Sequence, residues 1–307
     1  MRVLLAGATG AIGRPLVERL VAAGHELTTI SRSPERAAGI ARPQVRSLVC
    51  DVFDRKRLHE VASETKPEVV LHEMTALPSR IRPKHINEDT AATNRLRTEG
   101  TKNLLSAALA VGAKRFIAQS IAFVTAPQGP SVLDETAPLF THAPPVMADS
   151  IRAAADLERL VTSDPKIEGV VLRYGFFYGP GTSYAPGGSV LRDIERGRLP
   201  IVGGGTGVWS FVHVDDAAAA TQRALERGRG VYNVTDDDPA PARDWITELA
   251  ARRGKTPAKV PVWLGRLFAG PYGVYVMTEL RGASNAKAKR EFDWSPARPT
   301  WRGSLGT

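Results

Sequence analysis

The first 24 residues of the chain, MRVLLAGATGAIGRPLVERLVAAG, decide how the rest is interpreted. Residues 3–6 are apolar, as in a short buried strand, and lead directly into the turn GATGAIG, residues 7–13. The apolar spacing of residues 14–23 then predicts a helix. A strand, a turn with glycines at 7, 10 and 13, and a helix, in this order, predict a site for the pyrophosphate of a dinucleotide.

Each glycine of this turn has its own predicted role. Gly7 permits the tight turn, Gly10 leaves the backbone open to the pyrophosphate, and Gly13 lets the helix pack closely against the strand. The free N–H groups and the positive dipole end of the helix then favour phosphates. The predicted cofactor-binding residues of this turn are Gly7, Thr9, Gly10, Ala11, Ile12 and Gly13.

The end of the second predicted strand, residues 27–31, indicates which dinucleotide binds. An NAD site usually carries an acidic residue about 20 residues after the glycines, where it holds a ribose hydroxyl. This chain has Ser31 and Arg32 there instead, with Arg36 close behind. Arginine offers a planar fork to phosphate oxygens, so the three residues suit a 2′-phosphate. The sequence favours NADP over NAD, and a solvated loop arginine is the alternative for Arg32.

Length and composition are those of an ordinary globular protein. The chain has 307 residues, of which 43% are apolar, and no apolar run approaches the ~20 residues of a membrane span. Cys50 is the single cysteine, which excludes an intramolecular disulfide and a cysteine–zinc site. No signal peptide precedes the first predicted strand. We expect a cytoplasmic protein with no bound metal and no membrane association.

The charge balance is basic, with a formal net charge of +9. The basic residues are interleaved with acidic ones and form no nucleic-acid-binding motif, so we expect no nucleic acid partner. A modest basic excess instead fits an enzyme for anionic ligands. Arg95, Arg97 and Lys102 form either a solvated helix face or a collar for an acidic substrate. We expect a small-molecule substrate and leave a homodimer open.

Strands and helices alternate through the first half of the chain. Short apolar strands between amphipathic helices predict a parallel sheet that is covered on both faces. The predicted strands are residues 3–6, 27–31, 45–50, 69–72, 115–118 and 169–173, and the predicted helices between them are residues 14–23, 55–63, 90–111 and 146–162.

Glycine- and proline-rich segments after residue 173 break this alternation, as in residues 178–188 and 201–207. We therefore predict an α/β fold: a Rossmann-type doubly wound parallel sheet with a smaller C-terminal substrate lobe. The predicted NADP-binding Rossmann domain is residues 1–173, with residues 208–228 returning to it, and the predicted substrate-binding lobe is residues 174–207 and 229–307.

The order of these motifs resembles the extended short-chain dehydrogenase/reductase superfamily, in particular its NAD(P)-dependent epimerase/dehydratase family. The resemblance covers nearly the whole chain and implies that Asp51 contacts the adenine. We add Val52, His72 and Gln119 to the predicted cofactor-binding residues. The matching segments are the glycine turn, EGTKNLLSAA (residues 99–108), RYGFFYGPG (173–181), FVHVDDA (211–217) and FDWSP (292–296).

The resemblance fails at the residues on which the family's chemistry depends. That chemistry uses a Ser or Thr after the fifth strand and a Tyr-x-x-x-Lys pair on the next helix. The tyrosine is the acid or base, and the lysine lowers its pKa and holds the nicotinamide ribose. No tyrosine precedes Tyr174 and no lysine lies between Lys114 and Lys166, so the pair is absent. In one register, Ser150 and Ala154 stand in its place.

Three residues are candidates for the missing proton donor. Tyr174 follows the sixth predicted strand, whose end is expected beside the nicotinamide; a packed aromatic is the alternative. Ser120, next to Gln119, reaches the family's serine position only with a shift of one residue, because the ungapped match places Ile121 there. His72 ends the fourth strand and titrates in a useful range. The predicted catalytic residues are therefore Tyr174, Ser120 and His72.

These observations predict an NADP-dependent reductase with non-standard catalytic residues that acts on a carbonyl or a conjugated double bond of a small molecule. Two alternatives stay open. One is an epimerase, dehydratase or isomerase that uses its cofactor transiently, and the other is a non-catalytic NADP-binding sensor. Loss of the tyrosine and lysine favours the sensor, whereas the substrate lobe favours an enzyme.

Overall fold

The computed structural model describes all 307 residues, Met1–Thr307. The strands are β1 (Arg2–Ala6), β2 (Glu26–Ser31), β3 (Val45–Val49), β4 (Val69–His72), β5 (Arg115–Ile121), β6 (Val132–Leu133), β7 (Glu168–Tyr174), β8 (Phe176–Tyr178), β9 (Ile201–Val202), β10 (Val208–Trp209), β11 (Phe211–His213), β12 (Gly230–Val234), β13 (Ala240–Pro241), β14 (Lys259–Val260) and β15 (Gly282–Ala283). The helices are α1 (Gly13–Ala22), α2 (Pro34–Ala38), α3 (Arg55–Thr65), α4 (Ile86–Arg95), α5 (Thr101–Ala110), α6 (Pro145–Ser163), α7 (Ser189–Glu195), α8 (Val214–Ala224), α9 (Ala242–Ala251), α10 (Val262–Thr278) and α11 (Ala286–Phe292). A 3₁₀ turn (Pro83–His85) precedes α4, and a π-helical segment (Leu96–Gly100) joins α4 to α5.

Seven parallel strands form the central sheet, in the order β12-β7-β5-β4-β1-β2-β3. One face packs on α1 and α8, and the other packs on α3, α5 and α6. Because helices cover both faces, the middle of the inner strands is buried on both sides, as in residues 69–71 of β4 and 170–172 of β7. The predicted Rossmann-type doubly wound sheet is confirmed.

The strand Gly230–Val234 belongs to this sheet, although the sequence interpretation assigned residues 229–307 to the lobe. It pairs in parallel with β7, with Val231 beside Val171. Helix α8 packs on α1 and returns the chain to the edge of the sheet, whereas β10 and β11 pair with β13 and β8 outside it. Without β12, the edge of β7 would carry unpaired backbone N–H and C=O groups. The predicted boundary is therefore wrong at this strand, and the rest of the domain division stays a prediction.

A second core gathers the segments that follow β7 around Phe211, Trp245 and Trp301, each nearly fully buried. Helix α10 joins this core with its C-terminal half only, because it is kinked at Gly270, where φ is +68°. Its N-terminal half leaves Phe268 exposed. No helix of the structure combines the length and the apolar character that crossing a membrane requires.

Candidate active site

The glycine turn lies between β1 and α1, at the carboxyl edge of the sheet. Gly7 has a φ of +108°, and a Cβ there would lie 2.5 Å from the Glu73 carbonyl. A Cβ on Gly13 would lie 2.2 Å from the Gly7 oxygen, so both positions need glycine for the fold itself. Gly10 differs, because it is exposed and its Cβ would meet only that oxygen, at 3.3 Å. Open space above Gly10, next to the N-terminus of α1, fits the pyrophosphate of a dinucleotide.

The end of β2 presents two arginines that form no ion pair within the chain. Arg32 and Arg36 are exposed and line a cleft of about 450 Å³, together with residues 75–78. Ser33 orders this segment, because its side chain caps α2 by accepting a hydrogen bond from the Arg36 backbone N–H at 3.3 Å. Ser31 Oγ in turn accepts from the Ser33 N–H at 3.3 Å. Two unpaired guanidinium groups in one cleft can hold an anionic group.

The acidic side chains in the same cleft are paired within the protein. Asp89 lies 2.5 Å and Glu88 lies 3.2 Å from Arg82 Nη2. Hydrogen bonding to Arg82 holds the pKa of the Asp89 carboxyl below its usual range. Arg32 and Arg36 therefore stay available to a ligand.

Asp51 and Val52 follow β3 at the same edge of the sheet. Asp51 is exposed, and its Oδ1 accepts a hydrogen bond from the Phe53 N–H at 2.9 Å. Val52 is buried, and its carbonyl accepts from Asn103 Nδ2 at 3.1 Å. The carboxylate of Asp51 can thus reach an adenine, whereas the side chain of Val52 packs inside the protein. The adenine contact of Asp51 stays a prediction.

His72 is buried at the end of β4, and both of its ring nitrogens are engaged. Nε2 lies 3.2 Å from the Leu96 carbonyl oxygen, and Nδ1 accepts from the Met74 N–H at 3.3 Å. Burial lowers the pKa of His72 to about 4, so the ring is neutral at physiological pH. This geometry argues against the predicted role of His72 as a proton donor, because the ring anchors the π-helical segment to the sheet.

Ser120 lies inside β5 instead of after it, and it is fully buried. Its Oγ donates to Glu158 Oε1 on α6 at 2.8 Å. Arg173 on β7 donates to both oxygens of the same carboxylate, at 2.8 and 2.7 Å. Ser120 thus belongs to a buried network that ties β5, α6 and β7 together. The neighbouring Gln119 is also mostly buried, with only 8% of its surface exposed.

Tyr174 points into the core between the sheet and α8. Its hydroxyl oxygen lies 2.6 Å from Thr221 Oγ1 and 3.3 Å from Glu73 Oε1. Burial raises the pKa of Tyr174 well above its ordinary value, and the nearby Glu73 raises it further. The alternative of a packed aromatic, weighed for this residue from the sequence, fits its 1% exposure. The hydroxyl faces protein groups, not the carboxyl edge of the sheet.

Ser150 and Ala154, which one register places opposite the missing pair, both lie on α6. Ser150 on α6 lies 2.9 Å from Thr90 Oγ1 and accepts from Asn94 Nδ2 at 3.3 Å. Ala154, one turn further on, is fully buried. Glu158 follows one more turn along the same helix face. This face therefore carries no side chain of usual acid–base strength besides Glu158, which Ser120 and Arg173 already engage.

Half-buried aromatic rings stand beside the ends of β5 and β7. Phe123 and Phe176 stack with their ring centres 4.6 Å apart and their planes within 6°. Phe176 also stacks on Trp209, with 4.0 Å between ring centres. Such a surface can accept a flat apolar ligand by stacking.

The sequence interpretation missed that two polar residues of this region are buried. Glu73 is buried with Tyr174, and its Oε2 has no hydrogen-bond partner. The sequence offered a signal for this burial, because the glutamate directly follows an apolar strand. Arg97 is 5% exposed, although it was assigned to a solvated face or a substrate collar. It falls on the buried helical stripe of Thr93 and Thr101, a spacing that could have placed it inside.

The geometry of turn, sheet and lobe agrees with comparisons to known proteins. The chain belongs to the NAD dependent epimerase/dehydratase family, whose model matches residues 3–235. A 3-diazoavenalumate denitrifying reductase from a Streptomyces species is 47% identical over 310 residues, which cover 100% of this chain and 99% of that relative. The chain is accordingly an NAD(P)-dependent enzyme.

Two solved structures share the fold over almost the whole chain. UDP-glucose 4-epimerase from Thermotoga maritima, solved with UDP-glucose, has a TM-score of 0.76 at 21% identity and covers 97% of this chain and 94% of its own. UDP-glucose 4-epimerase from Thermus thermophilus, in complex with NAD, has a TM-score of 0.72 at 23% identity with the same coverage. At this identity, the likeness concerns the fold.

Proposed function

We propose that this enzyme is an NADPH-dependent reductase that replaces the diazo group of a small aromatic compound with hydrogen. One observation carries the proposal: the site lacks a free proton donor. Ser150 and Ala154 stand in place of the tyrosine and lysine, and Tyr174, Ser120 and His72 are all engaged inside the protein.

The lack of a donor restricts which hydride acceptors fit. A carbonyl that receives a hydride becomes an alkoxide and needs a proton, and positioned acid–base groups typically contribute 10²–10⁴-fold to such steps. An aryl diazonium ion is already cationic. In ArN₂⁺ + NADPH → ArH + N₂ + NADP⁺, a C–H bond forms with the hydride, the C–N bond breaks and N₂ leaves, so no proton enters.

The relative at 47% identity supports the same class of reaction. Its name describes a reductase that removes nitrogen from a diazo compound. Identity at this level along both complete chains makes a shared reaction class the first hypothesis to test. The stacked Phe123 and Phe176 favour an aromatic substrate beside the ends of β5 and β7.

The cofactor proposal rests on this chain's own residues. Bound NADPH would supply the hydride. Arg32 and Arg36, unpaired in one cleft, would hold its 2′-phosphate, and Ser31 lies beside them. The open backbone at Gly10 and the N-terminus of α1 would take the pyrophosphate.

The test uses purified enzyme, NADPH and the 4-methoxybenzenediazonium ion, whose ether keeps it cationic at neutral pH. We expect loss of NADPH absorbance with release of an equal amount of N₂ and formation of methoxybenzene. With NADPH deuterated at C4 on one face only, one of the two stereoisomers should transfer deuterium to the ring. The uncatalysed reaction would transfer deuterium from both stereoisomers, so a difference between the two stereoisomers isolates the enzyme's contribution.

The control substrate is 4-methoxybenzaldehyde, which offers a carbonyl on the same ring. Turnover of the aldehyde without turnover of the diazonium ion would replace this proposal with a carbonyl reductase. Tight NADPH binding without any turnover, across a panel of diazo and carbonyl compounds, would favour the sensor.

A further inference from the structure

Arg97 is a buried arginine without a partner in the protein. It lies in the π-helical segment, is 5% exposed, and its guanidinium takes part in no hydrogen bond or ion pair within the chain. Burial lowers its pKa to about 10, and the charge of Glu158 opposes this shift. An unpaired buried cation is costly, whereas a bound ligand can supply the missing acceptors.

Polar contacts fix how the helix that carries Arg97 runs along α6. Asn87 Nδ2 donates to the Pro145 carbonyl at 3.1 Å. Further along both helices, Thr90 and Asn94 contact Ser150 Oγ at 2.9 and 3.3 Å. Residue numbers rise together on the two helices, so the helices run parallel.

The parallel course places Arg97 opposite the vacant lysine position. Arg97 comes one turn after Asn94, and Ala154 comes one turn after Ser150. Glu158, a further turn along α6, lies close enough to influence the charge of Arg97. Arg97 is therefore level with Ala154, whose methyl group carries no charge that could substitute for a lysine.

The same cation lies near the carboxyl ends of the central strands. Its charge lowers the pKa of His72, the last residue of β4, which also contacts the π-helical segment through Leu96. Ser120, near the end of β5, bonds to Glu158. Arg97 thus lies between α6 and the ends of β4 and β5, where the nicotinamide half of a dinucleotide is expected.

We propose that Arg97 binds the nicotinamide ribose hydroxyls and so replaces, from the facing helix, the lysine that α6 lacks. The inference rests on the proposed NADPH site. Glu158 makes no hydrogen bond to the Arg97 guanidinium, and its oxygens accept from Arg173 and Ser120. The ribose offers neutral oxygens that accept charge-assisted hydrogen bonds without a second buried ion.

The experiment compares two ligands on the wild-type protein and on Arg97→Met. NADPH spans both halves of the site, whereas adenosine 2′,5′-bisphosphate has the adenosine half only. Calorimetric titration should show NADPH affinity reduced roughly tenfold or more in Arg97→Met, with the fragment's affinity within about twofold of wild type. Arg97→Lys keeps the charge, so its NADPH affinity should lie between those of the wild-type protein and Arg97→Met.

The outcomes separate this inference from the function it rests on. Unchanged NADPH affinity in Arg97→Met would overturn the inference alone, as would equal loss of both ligands. Wild-type protein that binds neither ligand would overturn the proposed function as well. If Arg97→Met does not fold, Arg97→Lys carries the same comparison, and NADPH affinity equal to wild type in Arg97→Lys would then overturn the inference.

Discussion

The two ends of the dinucleotide site differ in how much of the family pattern they keep. At the adenosine end, the glycine turn and Asp51 stand where the family has them. At the nicotinamide end, no tyrosine or lysine lies between Lys114 and Lys166, and Glu73 lies buried at the end of β4. The contrast teaches that cofactor recognition and proton supply are separate properties of this fold, so one can be kept while the other changes.

Substitution of Gly10 at the adenosine end should produce the largest change in cofactor affinity. Gly10→Val places a branched side chain where the pyrophosphate is proposed, so we expect NADPH affinity to fall by roughly 100-fold or more while the fold persists. Calorimetric titration measures the NADPH affinity, and circular dichroism shows whether the variant is folded. Gly10→Ala should give an intermediate loss, because its Cβ would reach only the Gly7 oxygen. A folded Gly10→Val with wild-type affinity would place the phosphates elsewhere.

Glu158→Gln tests whether the polar groups behind the catalytic end are structural. It breaks a buried ion pair and leaves the Arg173 charge uncompensated, so we expect a loss of about 3–5 kcal/mol in the free energy of unfolding. Urea denaturation provides the measurement. Glu99→Gln, which removes an exposed pair with Arg95, is the matched control and should leave the midpoint close to wild type. Equal effects in both variants would contradict the buried network.

Arg32→Ala sharpens the comparison at the adenosine end. Removing a charge-assisted contact worth about 1.5–3 kcal/mol should reduce the preference for NADPH over NADH by roughly tenfold or more. Fluorescence titration with both cofactors measures the ratio. Arg42→Ala, which removes a charge outside the cleft, serves as the control. Equal affinity of the wild-type protein for NADPH and NADH would exclude the 2′-phosphate site.

Glu73 should make stability depend on pH. Burial raises its pKa to about 8 in the folded chain, from an ordinary 4.5. The folded state therefore holds this proton more tightly, and stability that is complete below pH 4.5 is lost as the pH rises through 8. Glu73→Gln should flatten the decline in unfolding free energy over this window. Burial also raises the pKa of Asp236 to about 8, so part of the decline in unfolding free energy should remain in Glu73→Gln. An unchanged slope in Glu73→Gln would mean that Glu73 is ionised in the fold.

Tyr174→Phe should have the smallest effect on turnover. Its hydroxyl is held by Thr221 and Glu73 inside the core, so we expect kcat for the diazonium substrate to stay within about threefold of wild type. Steady-state kinetics with saturating NADPH provides the measurement. A fall of roughly 100-fold, with NADPH affinity intact, would restore Tyr174 as the proton donor.

The sequence predicted the fold well because its signals were local. The glycine turn, the apolar strands and the break after residue 173 each depend on neighbouring residues. The strand Gly230–Val234 was misassigned, because its place is determined by a β7 edge that lies far away in sequence.

The catalytic end was predicted less well, because there the decisive contacts are tertiary. Whether Tyr174 faces the cleft or the core depends on which face of β7 it occupies and on Thr221 in α8. The extension of β5 to Ile121 placed Ser120 inside the sheet. Burial of Arg97 agrees with its helical spacing from Thr93 and Thr101, but its place opposite α6 depends on the parallel packing of the two helices, which no local pattern specifies.

The hydrogen bonds that tie Ser150 to Thr90 and Asn94 have a consequence for chemoselectivity under the proposed function. An enzyme with a poised phenol would reduce aldehydes and ketones alongside its intended target. A small hydroxyl held between two helices cannot protonate an alkoxide, so carbonyl groups on the same substrate would survive. The loss of one tyrosine would thus protect the aldehyde and ketone groups of the substrate from the enzyme's own hydride.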